Sequence, residues 1–308
     1  MSTTAKLLRW GGMLPFLLLA TRGAPLTATA LPFALIPTAA GLRWRSLLPP
    51  EKQANIDTLT YTYFGSCTIG LLGVLVAQGL LAYAFAYPIF GDETQRFMTE
   101  FTRTSLKDVS PETLQWRWTM SRSWKNAAFL TAMAYIIAGG VEELAKYLPI
   151  AYVRHQQQRH SPAAAANKKA LPNEIYVQYA AAASLGFSTI ENLLYTKASV
   201  RAGERGAKLA LTIFERVVVG GIGHTLTAWL IGTNAASLGD YRTTVGNLWR
   251  ILGVPILWHG SSDLILFALS SWNGNVGWIH PEDPWQIVGV LAMVESIQLA
   301  LFLYTSRA

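Results

Sequence analysis

The chain alternates long apolar runs with short polar connections. Seven of the runs are long enough to cross the roughly 30 Å hydrocarbon core of a bilayer, because an α-helix rises about 1.5 Å per residue. These runs cover residues 24–40, 63–90, 126–150, 174–197, 208–236, 250–270 and 285–305. The pattern predicts an all-α fold, a polytopic transmembrane helix bundle of about seven spans, and therefore a multi-pass integral membrane protein.

The longest hydrophilic connection, 91–125, predicts a helix at the membrane surface. Ser110, Pro111 and Glu112 are typical of a helix start, because serine caps the first turn and proline fits its first position. The residues that follow mix tryptophan with arginine, which suits the headgroup level: Trp116, Arg117, Trp118, Arg122 and Trp124. We therefore expect an amphipathic interfacial loop here.

The composition agrees with a membrane protein and excludes several classes. Of the 308 residues 51% are hydrophobic and only 14% are charged, against about a quarter in soluble proteins. The net charge of +7 suits anionic lipid headgroups, and the basic residues lie between apolar runs rather than in one patch. We therefore expect the lipid bilayer, and not nucleic acid, as a partner. The single cysteine, Cys67, excludes an internal disulfide and a cysteine-based zinc site.

The first fifty residues contain basic residues but no Asp or Glu. This composition fits a signal peptide, a mitochondrial presequence or an uncleaved first span with basic flanks, and these alternatives stay open, as does the organelle. The lysines and arginines, sorted onto alternate sides of seven spans, favour neither orientation.

Ionisable residues interrupt the apolar runs, although a charge at mid-bilayer costs roughly 2.5–3.5 kcal/mol. With the amide Asn192, they are Glu142, Glu143, Lys146, Glu191, Glu215, Arg216, His224, His259, Asp263 and Glu295. Five unpaired charges would cost on the order of 15 kcal/mol, more than the stability of a typical protein. We therefore expect these groups to converge on one another or on a water-filled cavity.

Helical spacing indicates how the groups could meet. Glu142 and Glu143 stand four and three residues before Lys146, so both can reach its ammonium. The lysine could hold one carboxylate ionised while the other acts on water. His259 and Asp263 also stand four apart, on one face. Carboxylates together with imidazoles suit water-dependent bond cleavage, in which a carboxylate activates water and imidazoles bind a metal or an oxyanion.

Several of these groups also have a structural interpretation, and Glu295 is a lone acid that we leave unassigned. Glu142 and Lys146 could form an internal ion pair between helices. Asn192 could hydrogen-bond to a neighbouring helix, and His224 could be a buried core histidine. The four-residue steps of Gly220, His224, Ala228 and Gly232 are typical of close helix packing, and Glu215 with Arg216 could be interfacial. The structural interpretations explain the joint pattern over four successive spans less well.

Several common motifs are absent from the sequence. It has no HExxH zinc motif, no GxSxG nucleophile elbow and no cysteine–histidine arrangement. It also lacks the Walker A and GxGxxG loops, so we expect no nucleotide partner.

Together the polar motifs resemble those of the PrsW family of intramembrane proteases, which is related to the CAAX prenyl protease and bacteriocin-processing superfamily. Four motifs carry the resemblance in order, each in its own span: EExxK at 142–146, FxxxEN at 187–192, a glycine-histidine helix at His224, and HxxxD at 259–263. It covers roughly residues 125–270.

The resemblance implies proteolysis within or at the edge of the membrane, on a membrane protein or peptide substrate. It implies catalytic roles for Glu142, Glu143, His224 and His259, and supporting roles for Lys146, Phe187, Glu191, Asn192 and Asp263. Which glutamate is the general base stays open.

Relatives have been described both as metalloproteases and as glutamate-dependent proteases without metal, so no cofactor is assigned. His224, His259 and Glu143 would satisfy the three protein ligands of zinc and leave one open position. We favour a glutamate-activated water.

On this basis we divide the chain into N-terminal spans with the interfacial loop (1–124), a PrsW-like catalytic helix bundle (125–270) and a C-terminal span (271–308). Two other functions stay open, a proton-coupled membrane transporter and a catalytically idle membrane scaffold or chaperone. A transporter would be expected to contain inverted repeats, and an idle scaffold would be expected to have lost one of the motifs. The sequence displays neither feature.

Overall fold

A computed structural model describes residues 1–160, 171–238, 244–281 and 283–306, and the regular elements in these ranges are helices. In chain order the α-helices are α1 (Thr3–Gly11), α2 (Leu14–Thr21), α3 (Leu31–Leu47), α4 (Ile56–Gly65), α5 (Leu71–Phe90), α6 (Thr94–Phe101), α7 (Pro111–Ser121), α8 (Trp124–Ala132), α9 (Val141–His160), α10 (Asn173–Arg201), α11 (Gly206–Ile213), α12 (Gly221–Ser237), α13 (Val245–Trp272) and α14 (Pro284–Thr305). The predicted all-α class is confirmed.

Short 3₁₀ or π-helical segments connect several of these helices. The 3₁₀ segments are Pro25–Ala30, Pro50–Lys52 and Gly91–Glu93, and the π segments are Ser66–Gly70, Met133–Gly140 and Phe214–Gly220.

Within the described ranges, six helical stretches are long and apolar enough to cross a bilayer. They are Pro25–Leu47, Pro50–Phe101, Trp124–Gln156, Gly206–Ser237, Val245–Trp272 and Trp285–Thr305. The chain is a multi-pass integral membrane protein, as its apolar runs predict. The remaining predicted span, 174–197, lies in α10, which is 29 residues long but less apolar than the six.

The polarity of α10 follows from where its side chains lie. Polar residues such as Gln178, Ser184 and Thr196 are buried against other helices rather than exposed. A helix whose side chains pack mainly against protein does not need an apolar surface for lipid, and its hydroxyls and amides can bond to neighbouring helices.

The chain forms two compact units that interleave along the sequence. Unit 1 comprises Met1–Gly73, Glu142–Pro255 and Tyr304–Ala308, and unit 2 comprises Val74–Val141 and Ile256–Leu303. The sequence-based division at residues 124 and 270 stays a prediction.

In unit 1, α10 packs against α3, α4 and α12. Gly186 permits a close crossing with α4, because a Cβ at this position would lie 2.2 Å from the carbonyl oxygen of Tyr63. The Tyr63 hydroxyl bonds to Thr189 at 2.9 Å, and the buried Cys67 thiol donates to the Gly186 carbonyl at 3.1 Å. These bonds satisfy polar groups that would otherwise be costly in an apolar environment.

The residues spaced four apart at Gly220, His224, Ala228 and Gly232 allow close helix packing over only part of their length. A Cβ at Gly232 would lie 2.5 Å from the Cα of Val177, and Ala228 is fully buried. At Gly220 a Cβ would meet only the Glu215 carbonyl of the same turn, at 3.6 Å. The predicted packing therefore holds for the C-terminal half of the stripe.

Unit 2 is built around an aromatic cluster. Phe90 and Phe97 stack with ring centroids 3.8 Å apart, and Phe129 contacts Phe97 edge-on at 5.0 Å. Val276, which follows α13, completes the same core. Aromatic pairs in these geometries add about 0.5–1.5 kcal/mol to the free energy gained by burial.

A buried ion pair lies beside this cluster. The Arg117 guanidinium, 1% exposed, donates to a carboxylate oxygen of Glu100 at 2.9 Å and to the Glu100 carbonyl at 2.8 Å. Its other terminal nitrogen donates to Asn275 at 3.2 Å, and the Glu100 carboxylate also accepts bonds from Arg103. Arg117 therefore connects α6 and α7 to the segment after α13.

The predicted interfacial loop is correct in its helix start but not for Arg117. Ser110 caps α7 by accepting a bond from the Thr113 amide, and Trp118 and Trp124 are exposed as expected at a membrane surface. Arg117 is buried because Glu100, which is distant in sequence, supplies its counter-charge.

We expect Glu100→Gln to destabilise the protein by about 3–5 kcal/mol, because it leaves the Arg117 cation buried without an anion. Arg103→Ala removes the partly exposed partner of the same carboxylate and should cost about 0–1 kcal/mol. Denaturant unfolding of the detergent-purified variants measures both. Equal losses for the two variants would contradict the assignment of the buried pair.

Candidate active site

Two π-helical segments lead into the predicted catalytic residues. Met133–Gly140 ends two residues before Glu142, and Phe214–Gly220 ends four residues before His224. A π turn inside an α-helix changes the register of the residues that follow it, and such turns occur frequently at functional sites.

Glu143 is fully buried in unit 1 and carries a counter-ion. The Lys146 ammonium, 2% exposed, donates to its carboxylate one helical turn away and to the Thr227 hydroxyl of α12 at 3.1 Å. An ion pair at this depth neutralises two charges that would each be expensive in the bilayer. It also ties the start of α9 to α12.

Glu142 begins the same helix and approaches a histidine. It is 6% exposed, and one of its carboxylate oxygens lies within 4.8 Å of a ring nitrogen of His224. Metal ions hold carboxylate oxygens and imidazole nitrogens at about 2.0–2.2 Å each, so this separation suits a shared ion or water. The two predicted glutamates thus have different surroundings, one beside an ammonium and one beside an imidazole.

The predicted residue Glu191 on α10 also contacts His224. One of its carboxylate oxygens lies 3.2 Å from Nε2 of His224, and the other lies 3.6 Å from the Arg216 guanidinium. Arg216 in turn stacks over the Tyr195 ring at 3.4 Å. Arg216 is therefore part of this cluster.

Further contacts fix the position of the His224 ring and backbone. The Ser184 hydroxyl donates to the His224 carbonyl at 2.9 Å, and the Phe187 ring meets the imidazole edge-on with centroids 6.0 Å apart. The predicted Asn192 is buried on the same helix as Phe187, at 4% exposure.

In unit 2, His259 and Asp263 lie on one face of α13, as their spacing predicts. Nε2 of His259 lies 3.5 Å from a carboxylate oxygen of Asp263. The hydroxyls of Ser261 and Tyr135 bond to each other at 3.0 Å. His259 thus has a carboxylate beside one ring nitrogen, the same arrangement that Glu191 gives to His224.

Sequence analysis missed three residues of the unit 1 cluster. They are Thr227, Ser184 and Tyr195. Thr227 stands three residues after His224, a spacing that places both on one side of α12 and could have indicated it. Ser184 and Tyr195 act through contacts between helices, for which the sequence carries no local signal.

A model of the PrsW family of intramembrane metalloproteases matches residues 109–297, which is more than half of the chain and contains all of the predicted site residues. No curated protein and no solved structure matches the chain significantly.

We expect Lys146→Met to lower the free energy of unfolding by about 3–5 kcal/mol, because it leaves the Glu143 carboxylate buried without its ammonium. The double variant Lys146→Met/Glu143→Leu should recover most of this loss, since it removes both charges and keeps apolar volume. Detergent-based unfolding followed by circular dichroism measures both. If the double variant were as unstable as the single variant, the stability of the protein would not depend on neutralisation of Glu143 by Lys146.

Proposed function

The chain belongs to the PrsW family of intramembrane metalloproteases, and from that premise we propose that Glu142, His224 and His259 activate a water molecule for peptide-bond hydrolysis. As a member of this family the protein is an intramembrane peptidase that acts on protein or peptide substrates in the membrane. The catalytic groups and the mechanism are the proposal.

The observation that carries the proposal is the carboxylate beside each histidine. Glu191 lies 3.2 Å from Nε2 of His224, and Asp263 lies 3.5 Å from Nε2 of His259. A carboxylate at one ring nitrogen fixes the tautomer and orientation of an imidazole and raises the basicity of the other nitrogen, as in metal-ligating histidines. Because both histidines have a carboxylate beside one ring nitrogen, we infer that both act on the same water molecule.

The surroundings of the two glutamates favour Glu142 over Glu143 as the acting carboxylate. Glu143 is bonded to Lys146, which fixes the position of its carboxylate. Glu142 approaches the His224 ring to within 4.8 Å. We therefore assign the structural role to Glu143 and the chemical role to Glu142, and we replace the Glu143 of the sequence-based ligand set by Glu142.

Packing within unit 2 supports the inclusion of His259. A Cβ at Gly139 would lie 3.3 Å from the Gly260 amide nitrogen and from the Ile256 carbonyl, so the two helices approach closely here. Gly139 precedes Glu142 by three residues, and Gly260 directly follows His259. His259 therefore lies directly beside a close helix contact of its own unit.

The donor set fits zinc. Two histidines and one carboxylate are the protein ligands of many catalytic zinc sites, which keep a fourth position for water. Zinc bound by Glu142, His224 and His259 would supply Lewis-acid activation of that water. A carboxylate has two oxygens, so Glu142 could help to hold the ion and still accept the proton of the attacking water.

The remaining polar residues would orient the side chains of Glu142, His224 and His259. Glu191 and Asp263 would hold the ring protons of the two histidines. Arg216 would hold Glu191 in place, since its guanidinium lies 3.6 Å from that carboxylate. Glu142 would pass its proton to the leaving amine as the peptide bond breaks.

We expect Glu142→Gln, His224→Ala and His259→Ala to reduce cleavage of a membrane-anchored peptide reporter at least about 100-fold, because each removes a group that acts on the water.

Purified wild-type protein should contain one zinc per chain, lose activity on chelation and regain it with added zinc. Full activity after complete metal removal would exclude the zinc version and favour glutamate-activated water alone. Unchanged cleavage in all three variants would rule out the site. A wild-type protein that cleaves no reporter would favour the idle scaffold.

We expect Glu191→Gln to weaken zinc binding about 10–100-fold, because it removes the carboxylate that orients His224. Glu295→Gln is a suitable control, since Glu295 is an exposed acid in the last span. Zinc affinity measured by competition with a chromogenic chelator compares the two. Equal affinity in both variants and the wild type would contradict the orienting role.

A further inference from the structure

Unit 2 contains a groove between two membrane-spanning stretches that the peptidase site does not use. It has a volume of about 400 Å³, within the range of ligand pockets. One wall carries Ala127, Leu130 and Thr131, spaced three and four residues apart, and the other carries Leu264 and Ala268. Both walls present one helical face to the groove.

One end of the groove is polar and positively charged. Arg122 lines it together with Ser121 and Ser271. The guanidinium stacks over the Trp118 ring at 3.3 Å and donates to the carbonyls of Trp118 and Trp272 at 3.1 and 3.4 Å. Among the residues that the structure describes, its partners are thus neutral, and two of its five N–H groups are used.

The polar end is held rigidly. Ser271 donates to the Ser121 carbonyl at 2.7 Å, and the buried Asn126 amide donates to both Ser271 and the Ser121 carbonyl. These bonds connect the end of α7 to the end of α13, so the distance between the groove walls is fixed at the side where the cation lies.

Exposed tryptophans indicate the depth at which the polar end of the groove lies in the membrane. Trp118, Trp124 and Trp272 are 54%, 72% and 80% exposed, and exposed tryptophans of membrane proteins concentrate at the headgroup region. Lys125 adds a second positive charge beside Trp124. Arg122 has neutral partners among the described residues and lies at the headgroup level at the end of an apolar groove. Such a cation is complementary to one class of ligand, a lipid with an anionic headgroup.

We propose that this groove binds an anionic phospholipid. Arg122 donates to the phosphate through its remaining N–H groups, and an acyl chain lies between α8 and α13 along Ala127 and Ala268. The proposal concerns binding alone and does not depend on the peptidase mechanism.

The test is lipid binding to the full-length, detergent-purified protein by native mass spectrometry. The probes are phosphatidylglycerol and phosphatidylcholine with the same palmitoyl and oleoyl chains. We expect the wild type to retain one phosphatidylglycerol in preference to phosphatidylcholine, by at least several-fold. A wild type without this preference would overturn the proposal without any variant.

Arg122→Ala should weaken phosphatidylglycerol binding at least about tenfold, because it removes charge-assisted hydrogen bonds to the phosphate. Arg9→Ala, which removes an exposed arginine from α1, is the matched control and should bind as the wild type does. Equal binding by Arg122→Ala and the wild type, or equal losses in Arg122→Ala and Arg9→Ala, would overturn the site, the latter because general electrostatics would then explain the binding.

Ala268→Phe should block the acyl chain and weaken binding of both lipids, while the exposed Ala84→Phe on α5 should have no effect. Both alanines are exposed, so neither substitution overfills the core. Undiminished phosphatidylglycerol binding in Ala268→Phe would refute a lipid in the groove. Displacement of phosphatidylglycerol by inorganic phosphate alone would show a simple anion site instead and would also refute it.

Discussion

The constraint on which this structure depends is the cost of a charge inside a bilayer. Several isolated acids and cations in the spans would together cost more free energy than the stability of the protein, so most of them must lie beside a group of opposite charge or a hydrogen-bond partner. Glu143 with Lys146 and Glu191 with Arg216 meet this requirement in unit 1. Glu100 with Arg117 meets it in unit 2. The arrangement of polar groups thus determines which helices pack together, in addition to any chemistry.

The same constraint separates structural groups from reactive ones. A carboxylate bonded to an ammonium is stable but is a weaker base and ligand, whereas a carboxylate beside an imidazole can exchange protons or share an ion. Glu142 and Glu143 are adjacent in sequence and differ in this respect. On the mechanism that we propose, the lysine of EExxK would explain why the motif contains two acids, since one would pair with the cation and the other would act on water.

Features that depend on helical spacing could be predicted from sequence. The apolar runs predicted the membrane spans, and the four-residue step predicted that His259 and Asp263 share a face. The pairing of Lys146 with a preceding glutamate followed from the same rule, although the spacing did not indicate which of the two would bond. Of the site, the sequence indicated the residue types and their order along the chain.

Features that depend on contacts between distant helices could not be predicted. Arg117 looked interfacial beside its tryptophans, because its partner Glu100 stands 17 residues earlier on another helix. The contact of Arg216 with Glu191 could not be predicted either, since Glu191 lies on α10. The length and apolar residues of α10 made it resemble an ordinary span, yet its polar side chains are buried against other helices.

The burial of Cys67 allows the orientation of the chain in the membrane to be mapped by cysteine labelling. The only cysteine, Cys67, is 2% exposed and its thiol donates to the Gly186 carbonyl, so maleimide reagents would find little native background. A cysteine introduced into any exposed connection would then be the sole labelled position. Membrane-impermeant probes applied to intact cells or vesicles would report, connection by connection, which end of each helix faces which compartment.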